Sequence, residues 1–208
     1  MAMTAPRPVN SHQSRSGLTC ERLVEIESAA RRALSVASER LGNLGLGNET
    51  PCEINFVASL LTGSNPEERS NLRLNGERVA GVLQPSHSGV EILYEAFHPF
   101  YRQRFTVAHE LGHFYLHACG EAYTYHRCPV RGAEVGEPEP GEETDQCTLP
   151  TVEAEADAFA GAFLLPAGVF VEAVRTYGVA LSFLAQLFQV SPGTVRNRLA
   201  TLKLIGSL

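Results

Sequence analysis

The sequence has few features of a secreted or membrane-spanning protein. Its five cysteines are odd in number and form no CxxC pair, which argues against a framework of disulfides. The N-terminal stretch MAMTAPRPVNSHQSRSG contains no apolar core of a signal peptide, and Pro166 interrupts the longest apolar run, near residues 158–171. We therefore expect a cytoplasmic protein without a membrane segment.

The sequence also has no excess of basic charge. Its net charge is −6 at pH 7, which argues against nucleic acid as the main partner. The charge is uneven, because residues 132–149 hold six acidic side chains and no Lys or Arg, whereas residues 180–208 hold Arg196, Arg198 and Lys203 and no acid. A chain of 208 residues can bury about 70% of its unfolded surface without disulfides or a metal.

The stretch FTVAHELGHFYLH, residues 105–117, places three histidines at steps of four. On a helix, His109 and His113 lie one turn apart, about 6 Å, and their imidazoles can converge on one ion. His117 lies too far along the axis to join them. His-Glu-x-x-His on a helix is the zincin signature, in which the Glu is the general base that takes a proton from water. We therefore predict His109 and His113 as zinc ligands and Glu110 as the catalytic base.

A catalytic zinc usually has a third protein ligand. One class of zinc peptidases supplies a His from the longer motif HExxHxxGxxH, but the corresponding positions here are Leu116 and Cys119. Another class supplies a Glu from a later helix, with an acidic residue one turn further on that orients a ligating imidazole. The first class is excluded, and the second predicts an acidic pair on a helix after the motif.

The segment TVEAEADAFAGAFLLP, residues 151–166, fits that arrangement. It is rich in Ala and ends at a proline, so it predicts a helix. Glu153 and Asp157 are four residues apart and share a face, whereas Glu155 points away from Glu153. We predict Glu153 as the third ligand and Asp157 as the partner that orients one of the two histidines. The alternative is a pair of solvated acids at a helix start, where the helix dipole favours them.

Three motifs in this order, FTVAHELGHFYLH, EAEADAFAGAFLLP and LAQLFQVSPGTVRNRL, resemble the ImmA/IrrE family of zinc metallopeptidases over roughly residues 75–205. The resemblance implies His109, His113 and Glu153 as ligands of Zn²⁺ and Glu110 as the catalytic acid/base. Mn²⁺ is the alternative metal in the cell. It implies a limited, site-specific cut in a helix-turn-helix repressor of the XRE type, which switches on a mobile element or a stress response.

We accordingly predict an α+β, zincin-like fold with a small antiparallel sheet, the HExxH helix and a C-terminal helix-turn-helix-like unit. The predicted parts are a disordered tail at 1–17, a peptidase domain at 18–175 with an acidic insertion at about 120–149, and the helical unit at 176–208. Further predictions are a helix over Thr19–Leu41 that ends at Gly42, a loop at 43–50, a short helix or strand over Ile54–Leu61, and a turn-rich connection after it.

A β-hairpin is predicted where Arg78–Gln84 and Val90–Glu95 flank the turn PSHSG. In the second strand, Val90, Ile92 and Tyr94 face one way and the residues between them face the other. Zincin sheets place an edge strand along the cleft, where a substrate peptide can add as a further strand. One of these two strands is therefore a candidate for substrate docking.

The acidic insertion at about 120–149 has three interpretations. It is a solvated surface loop, a lid that attracts basic DNA-binding domains, or a segment whose Cys128 or Cys147 caps the zinc. The sequence assigns no role to Cys119. The candidates for stabilising the developing oxyanion are Tyr94, His98, Tyr125 and His126.

The C-terminal motif LAQLFQVSPGTVRNRL predicts two helices with a short turn, and Arg196 and Arg198 lie on the second. We interpret this unit as a helical buttress or a repressor-docking surface, and its alternative is a DNA reader, for which a charge of +3 is small. Two alternative functions follow for the chain. One is a regulatory protein- or DNA-binding module with a structural zinc, and the other is a toxin or defence peptidase that acts on host proteins.

Overall fold

The computed structural model describes residues 17–43, 53–87, 89–117, 126–129, 150–204 and 206. The predicted tail at 1–17, apart from Gly17, nearly all of the predicted loop at 43–50 and most of the predicted insertion fall outside these residues, as do Cys119, Tyr125 and Cys147. The helices are α1 Cys20–Asn43, α2 Ile54–Thr62, α3 Phe100–Leu116, α4 Pro150–Leu164, α5 Ala167–Tyr177, α6 Leu181–Phe188 and α7 Pro192–Leu204. The strands are β1 Glu67–Arg69, β2 Arg73–Leu74, β3 Glu77–Ser86, β4 Gly89–Glu95 and β5 His126–Pro129.

The strands form one mixed sheet in the order β1-β4-β3-β2, and β5 also pairs with β3. The predicted hairpin is confirmed, since β3 and β4 pair antiparallel from Gly81 and Tyr94 to Ser86 and Gly89. The prediction of an antiparallel sheet is wrong for β1, which pairs parallel with β4. Strands β1 and β2 run in the same direction, and the chain reverses between β2 and β3. It reverses again in the hairpin between β3 and β4, so β4 runs in the direction of β1.

The carboxylate of Glu95, at the end of β4, holds the segment between β1 and β2 in place. It accepts hydrogen bonds from the backbone N–H groups of Asn71 at 3.2 Å, Leu72 at 2.7 Å and Phe97 at 3.2 Å. Burial alone raises the pKa of Glu95, but these three hydrogen bonds outweigh it and lower the pKa. Through these hydrogen bonds the ionised carboxylate attaches the residues between β1 and β2 to the sheet. The sequence predicts only a turn-rich connection in this part of the chain.

Strand β3 has neighbours on both sides. It pairs with β4 along one side, and with β2 and then β5 along the other, where Gly81 lies opposite Cys128. The predicted docking of a substrate strand therefore does not apply to β3 as an open edge, and β4 is bordered by β1 from Leu93 to Glu95. The strand β5 also shows that the predicted insertion is not a loop throughout.

One buried cluster joins the helices to the inner face of the sheet. The predicted alternation in β4 is confirmed, because Val90, Ile92 and Tyr94 are buried. Helix α3 packs against β3 and β4 on one side and against α4 on the other. Among the described residues, no single helix is long and apolar enough to cross a membrane, and α4 and α5 pass that test only together, as a pair bent by 64°.

The C-terminal helices α6 and α7 pack into the same cluster as the rest of the fold. The Ser191 hydroxyl caps α7 by accepting the backbone N–H of Thr194 at 3.1 Å. Arg198 is 2% exposed and donates to the Leu165 carbonyl at 2.8 Å and to both carboxylate oxygens of Glu27 at 2.6 and 2.7 Å. The suggestion that Arg198 reads DNA is therefore wrong, because its guanidinium is buried and ties α7 to α1 and to the end of α4.

Candidate metal centre

The HExxH motif lies in the most buried part of α3. The helix begins after Pro99, and the side chains of His109, Glu110 and His113 are 2%, 0% and 0% exposed. Burying polar and ionisable groups is unfavourable unless hydrogen bonds or opposite charges compensate. The next helix, α4, supplies such partners for the two histidines.

Gly112, inside the motif, allows α3 and α4 to approach closely. A Cβ at this position would lie 3.0 Å from the Ala156 Cα, 3.1 Å from the Ala156 carbonyl oxygen and 3.2 Å from the Phe159 Cβ. Glycine weakens a helix by roughly 0.5–1 kcal/mol relative to alanine, so its presence here indicates a packing requirement. The close contact brings the first turn of α4, which carries Glu153, against the two histidines.

Three ligand atoms converge where α3 and α4 meet. The Nε2 atoms of His109 and His113 are 3.0 Å apart, and they lie 3.3 and 3.4 Å from the two carboxylate oxygens of Glu153. Ligands at about 2.0–2.1 Å from a tetrahedral zinc are about 3.3–3.4 Å from one another. The separations therefore fit a single small divalent ion, and among the described residues these three form a group that could hold one.

The donor set also fits a cation electronically. Asp157 lies with Oδ1 3.0 Å from Nδ1 of His109, so this carboxylate accepts the Nδ1–H and leaves the Nε2 lone pair facing His113 and Glu153. Burial raises the pKa of Glu153, but contacts with His109 and His113 outweigh it and lower the pKa to about 2. That lowering requires hydrogen or positive charge on the two rings; when both rings instead present lone pairs to Glu153, a cation between the three groups has to supply the positive charge.

Glu110 is fully buried, and neither of its carboxylate oxygens has a hydrogen-bond partner within the described part of the chain. Burial raises the pKa of Glu110 to about 8. Its side chain lies against Gly81 of β3, where a Cβ would come within 2.6 Å of Glu110 Oε1 and 2.5 Å of Thr106 Cγ2. A buried carboxyl without partners is unfavourable for folding alone and is typical of functional sites.

The structure thus brings together all five residues predicted for the site, and it adds others. Gly81 and Gly112 were not predicted as part of it, although a glycine within a strand or helix is itself a signal of close packing. His117 lies outside the group of three, with Nδ1 3.1 Å from Nδ1 of His113. Its Nε2 lies 3.0 Å from Glu155, whose spacing on the helix points it away from Glu153.

The predicted oxyanion-stabilising residues are not assigned by these contacts. The buried Tyr94 hydroxyl accepts a hydrogen bond from Asn55 Nδ2 at 3.0 Å. Burial lowers the pKa of His98, which follows β4. Tyr125 and the side chain of His126 lie outside the described part of the chain. The choice among these four residues stays a prediction.

Comparison with known proteins identifies the family. Residues 71–200 match the family model Peptidase_M78, the IrrE N-terminal-like domain. The chain belongs to the ImmA/IrrE family. This match confirms the resemblance drawn from the three motifs and supports a metallopeptidase. No match was found among curated protein sequences.

A solved structure with a similar fold is that of a Mycobacterium tuberculosis transcriptional regulator. The two chains share 17% sequence identity with a TM-score of 0.50, over 88% of this chain and 52% of the regulator. This ImmA/IrrE chain thus spans about half the length of that relative. At this identity the likeness concerns the fold alone.

Proposed function

We propose that this ImmA/IrrE protein is a zinc-dependent endopeptidase of the zincin type, with His109, His113 and Glu153 as metal ligands and Glu110 as the catalytic acid/base. The observation that carries the proposal is the convergence of three lone-pair donors at 3.0–3.4 Å beside a buried carboxyl that has no hydrogen-bond partner. A site that only stabilised the fold would have no need of that unpartnered carboxyl.

The residues of the chain have distinct roles in peptide hydrolysis. A bound Zn²⁺ polarises a peptide carbonyl and acidifies water. Glu110 takes a proton from the attacking water and delivers it to the leaving amine. Asp157 holds the His109 ring through its Nδ1–H, so the Nε2 lone pair stays directed at the metal position.

The proposed substrate is an XRE-type helix-turn-helix repressor that is cut at one site. Membership of the ImmA/IrrE family supports a protein substrate, and the fold is similar to that of a protein described as a transcriptional regulator. Helices α6 and α7 would act as a buttress or as a docking surface for the repressor. DNA binding by α7 is less favoured, because Arg198 is committed to Glu27 and leaves Arg196 and Lys203 as its exposed basic residues among those described.

Strand β5 occupies the position next to β3 where an added strand would pair. A substrate peptide would therefore extend the sheet along the outer edge of β5, through main-chain hydrogen bonds. This replaces docking on β3 itself.

The decisive experiment compares the wild-type protein with a Glu110→Gln variant. Both are loaded with Zn²⁺ or Mn²⁺ and incubated with the repressor encoded beside this chain, and mass spectrometry maps any cut. The variant keeps the shape of Glu110 and every metal ligand, so it should bind the metal with wild-type stoichiometry and lose cleavage by at least about 100-fold. Undiminished cleavage by the variant would remove Glu110 from its role.

The same experiment addresses the alternatives. A regulatory module with a structural zinc would bind the repressor or DNA and cut nothing, and Glu110→Gln would leave that binding unchanged. A toxin or defence peptidase would leave the neighbouring repressor intact but cut other proteins in a Glu110-dependent way.

A further inference from the structure

A continuous row of polar contacts links α1 to the proposed ligand His113. Arg22 of α1 donates from Nε at 2.8 Å and from a terminal nitrogen at 2.6 Å to the two carboxylate oxygens of Glu155. Glu155 Oε2 lies 3.0 Å from Nε2 of His117, whose Nδ1 lies 3.1 Å from Nδ1 of His113. All of these residues are buried or partly buried, so water does not readily replace the contacts.

When both imidazoles are neutral, the guanidinium at one end sets the direction of each hydrogen bond in this row. A guanidinium can only donate, and Arg22 donates to both carboxylate oxygens of Glu155, so this pairing holds Glu155 as an ionised acceptor. His117 must then donate from Nε2–H. A neutral imidazole protonated at Nε2 has its lone pair on Nδ1, so His117 Nδ1 accepts, and His113 Nδ1 must donate to it. The lone pair of His113 consequently lies on Nε2, which faces His109 and Glu153.

Reversing the hydrogen bond between His117 and His113 would remove the lone pair with which His113 binds a metal. If His117 carried a proton on Nδ1, His113 Nδ1 would have to accept it, and its neutral ring would then carry its hydrogen on Nε2. That hydrogen would point at the position between His109 and Glu153, where a metal needs a lone pair. The row from Arg22 therefore favours the one tautomer of His113 that can ligate.

We propose that His117 is a positioning residue for the metal centre, held by Glu155 and Arg22, which fixes His113 in the Nδ1–H tautomer. The inference rests on the proposed function, since it concerns a ligand of the same site. His117 accepts the Nδ1–H of His113 and orients that ring, as Asp157 does for the ring of His109, but its acceptor is a neutral imidazole nitrogen and not a carboxylate oxygen. Arg22 lies outside residues 71–200, so a helix beyond the matched family region contributes to the centre.

The first test uses the wild-type protein and therefore does not depend on any variant folding. Long-range ¹H–¹⁵N correlation spectra of histidine-labelled protein report which ring nitrogen carries the hydrogen. In the zinc-loaded protein at neutral pH we expect His117 as the Nε2–H tautomer, so that its Nδ1 is free to accept the hydrogen on His113 Nδ1. A hydrogen on Nδ1 of His117 in the zinc-loaded protein would overturn the proposal.

The second test measures zinc affinity by competition with a chromophoric chelator. His117→Phe keeps a ring but removes both hydrogen bonds, and it should weaken Zn²⁺ binding about 10–100-fold, the usual effect of losing a partner that orients a ligand. His117→Asn should recover most of that loss, because its amide oxygen can accept the His113 Nδ1–H. Equal affinity of the Phe variant and the wild type would overturn the proposal, as would equal loss in the Phe and Asn variants.

A matched pair of arginine variants tests the remote end of the row. Arg22→Met removes both donors to Glu155 and should weaken Zn²⁺ binding in the same direction as His117→Phe but by less. Arg175→Met breaks an exposed contact with Glu172, 4.0 Å long, and should leave the affinity unchanged. Equal affinity of the Arg22 and Arg175 variants would limit the row to His117 and refute the role of α1.

The outcomes separate this inference from the proposed function. If the wild type binds zinc and cleaves its substrate while His117→Phe binds zinc as tightly, only the inference fails. If the wild type binds no divalent metal, both fail.

Discussion

Replacing Gly81 by alanine should disturb the position of the proposed catalytic base. The added Cβ would lie 2.5 Å from Thr106 Cγ2 and 2.6 Å from Glu110 Oε1, whereas ordinary contact begins at about 3.4 Å. Strand β3 or the two side chains of α3 must therefore move by about 0.8–0.9 Å. Both side chains are buried, so neither can move into water.

Two magnitudes follow from that displacement. Overpacking a well-packed core by one methyl group costs about 1–3 kcal/mol, which should appear as a lower midpoint of urea unfolding. A displacement of about 1 Å at a catalytic group lowers the rate about 100-fold. Zinc affinity should change little, because Gly81 contacts none of the three proposed ligands through these atoms. The assays are urea unfolding, chelator competition and cleavage of the mapped substrate.

Thr106→Ser separates the two effects, since it removes Cγ2 and leaves Glu110 untouched. In the double variant with Gly81→Ala, part of the lost stability should return, because the 2.5 Å contact is gone. Cleavage should stay low, because the contact with Glu110 Oε1 remains. If Gly81→Ala were as stable and as active as the wild type, the close approach of β3 to α3 would be refuted. A destabilised variant that cleaves at the wild-type rate would contradict the proposed role of Glu110.

Two further predictions concern helix packing and acid stability. The Cβ of Gly112→Ala would meet the backbone of Ala156 and push Glu153 away from the histidines, so this variant should have lower stability and lower zinc affinity. The control is Gly161→Ala on α4, whose Cβ would have nothing within 4 Å and which should be neutral or stabilising by up to about 1 kcal/mol. Equal zinc affinity in the two variants would contradict this prediction. Glu95→Gln should lose about 1 kcal/mol at pH 7. The pKa of Glu95 is lower in the folded state, so the extra stability of the wild type over Glu95→Gln is fully present above the unfolded pKa. This extra stability should vanish as pH falls through the folded pKa. Midpoints of urea unfolding for both proteins at pH 7 and below pH 4 would measure it.

The sequence alone determined the features that depend on local spacing. A step of four residues on a helix is enough to align His109 with His113, and Glu153 with Asp157, whatever the rest of the chain does. The turn PSHSG between two alternating segments likewise fixed the hairpin of β3 and β4. These patterns are readable because they are set by backbone geometry within one or two turns or strands.

The tertiary structure decided what depends on contacts between distant segments. The partner of Glu155 could not be read from its helix, because Arg22 lies 133 residues away. The parallel pairing of β1, the burial of Arg198 against Glu27 and the contact of Gly81 with Glu110 are likewise set by how elements pack. Sequence spacing gives the direction of a side chain on its own helix or strand. The distance between two elements depends on the side chains between them, and for α3 and α4 that distance is small because position 112 has none.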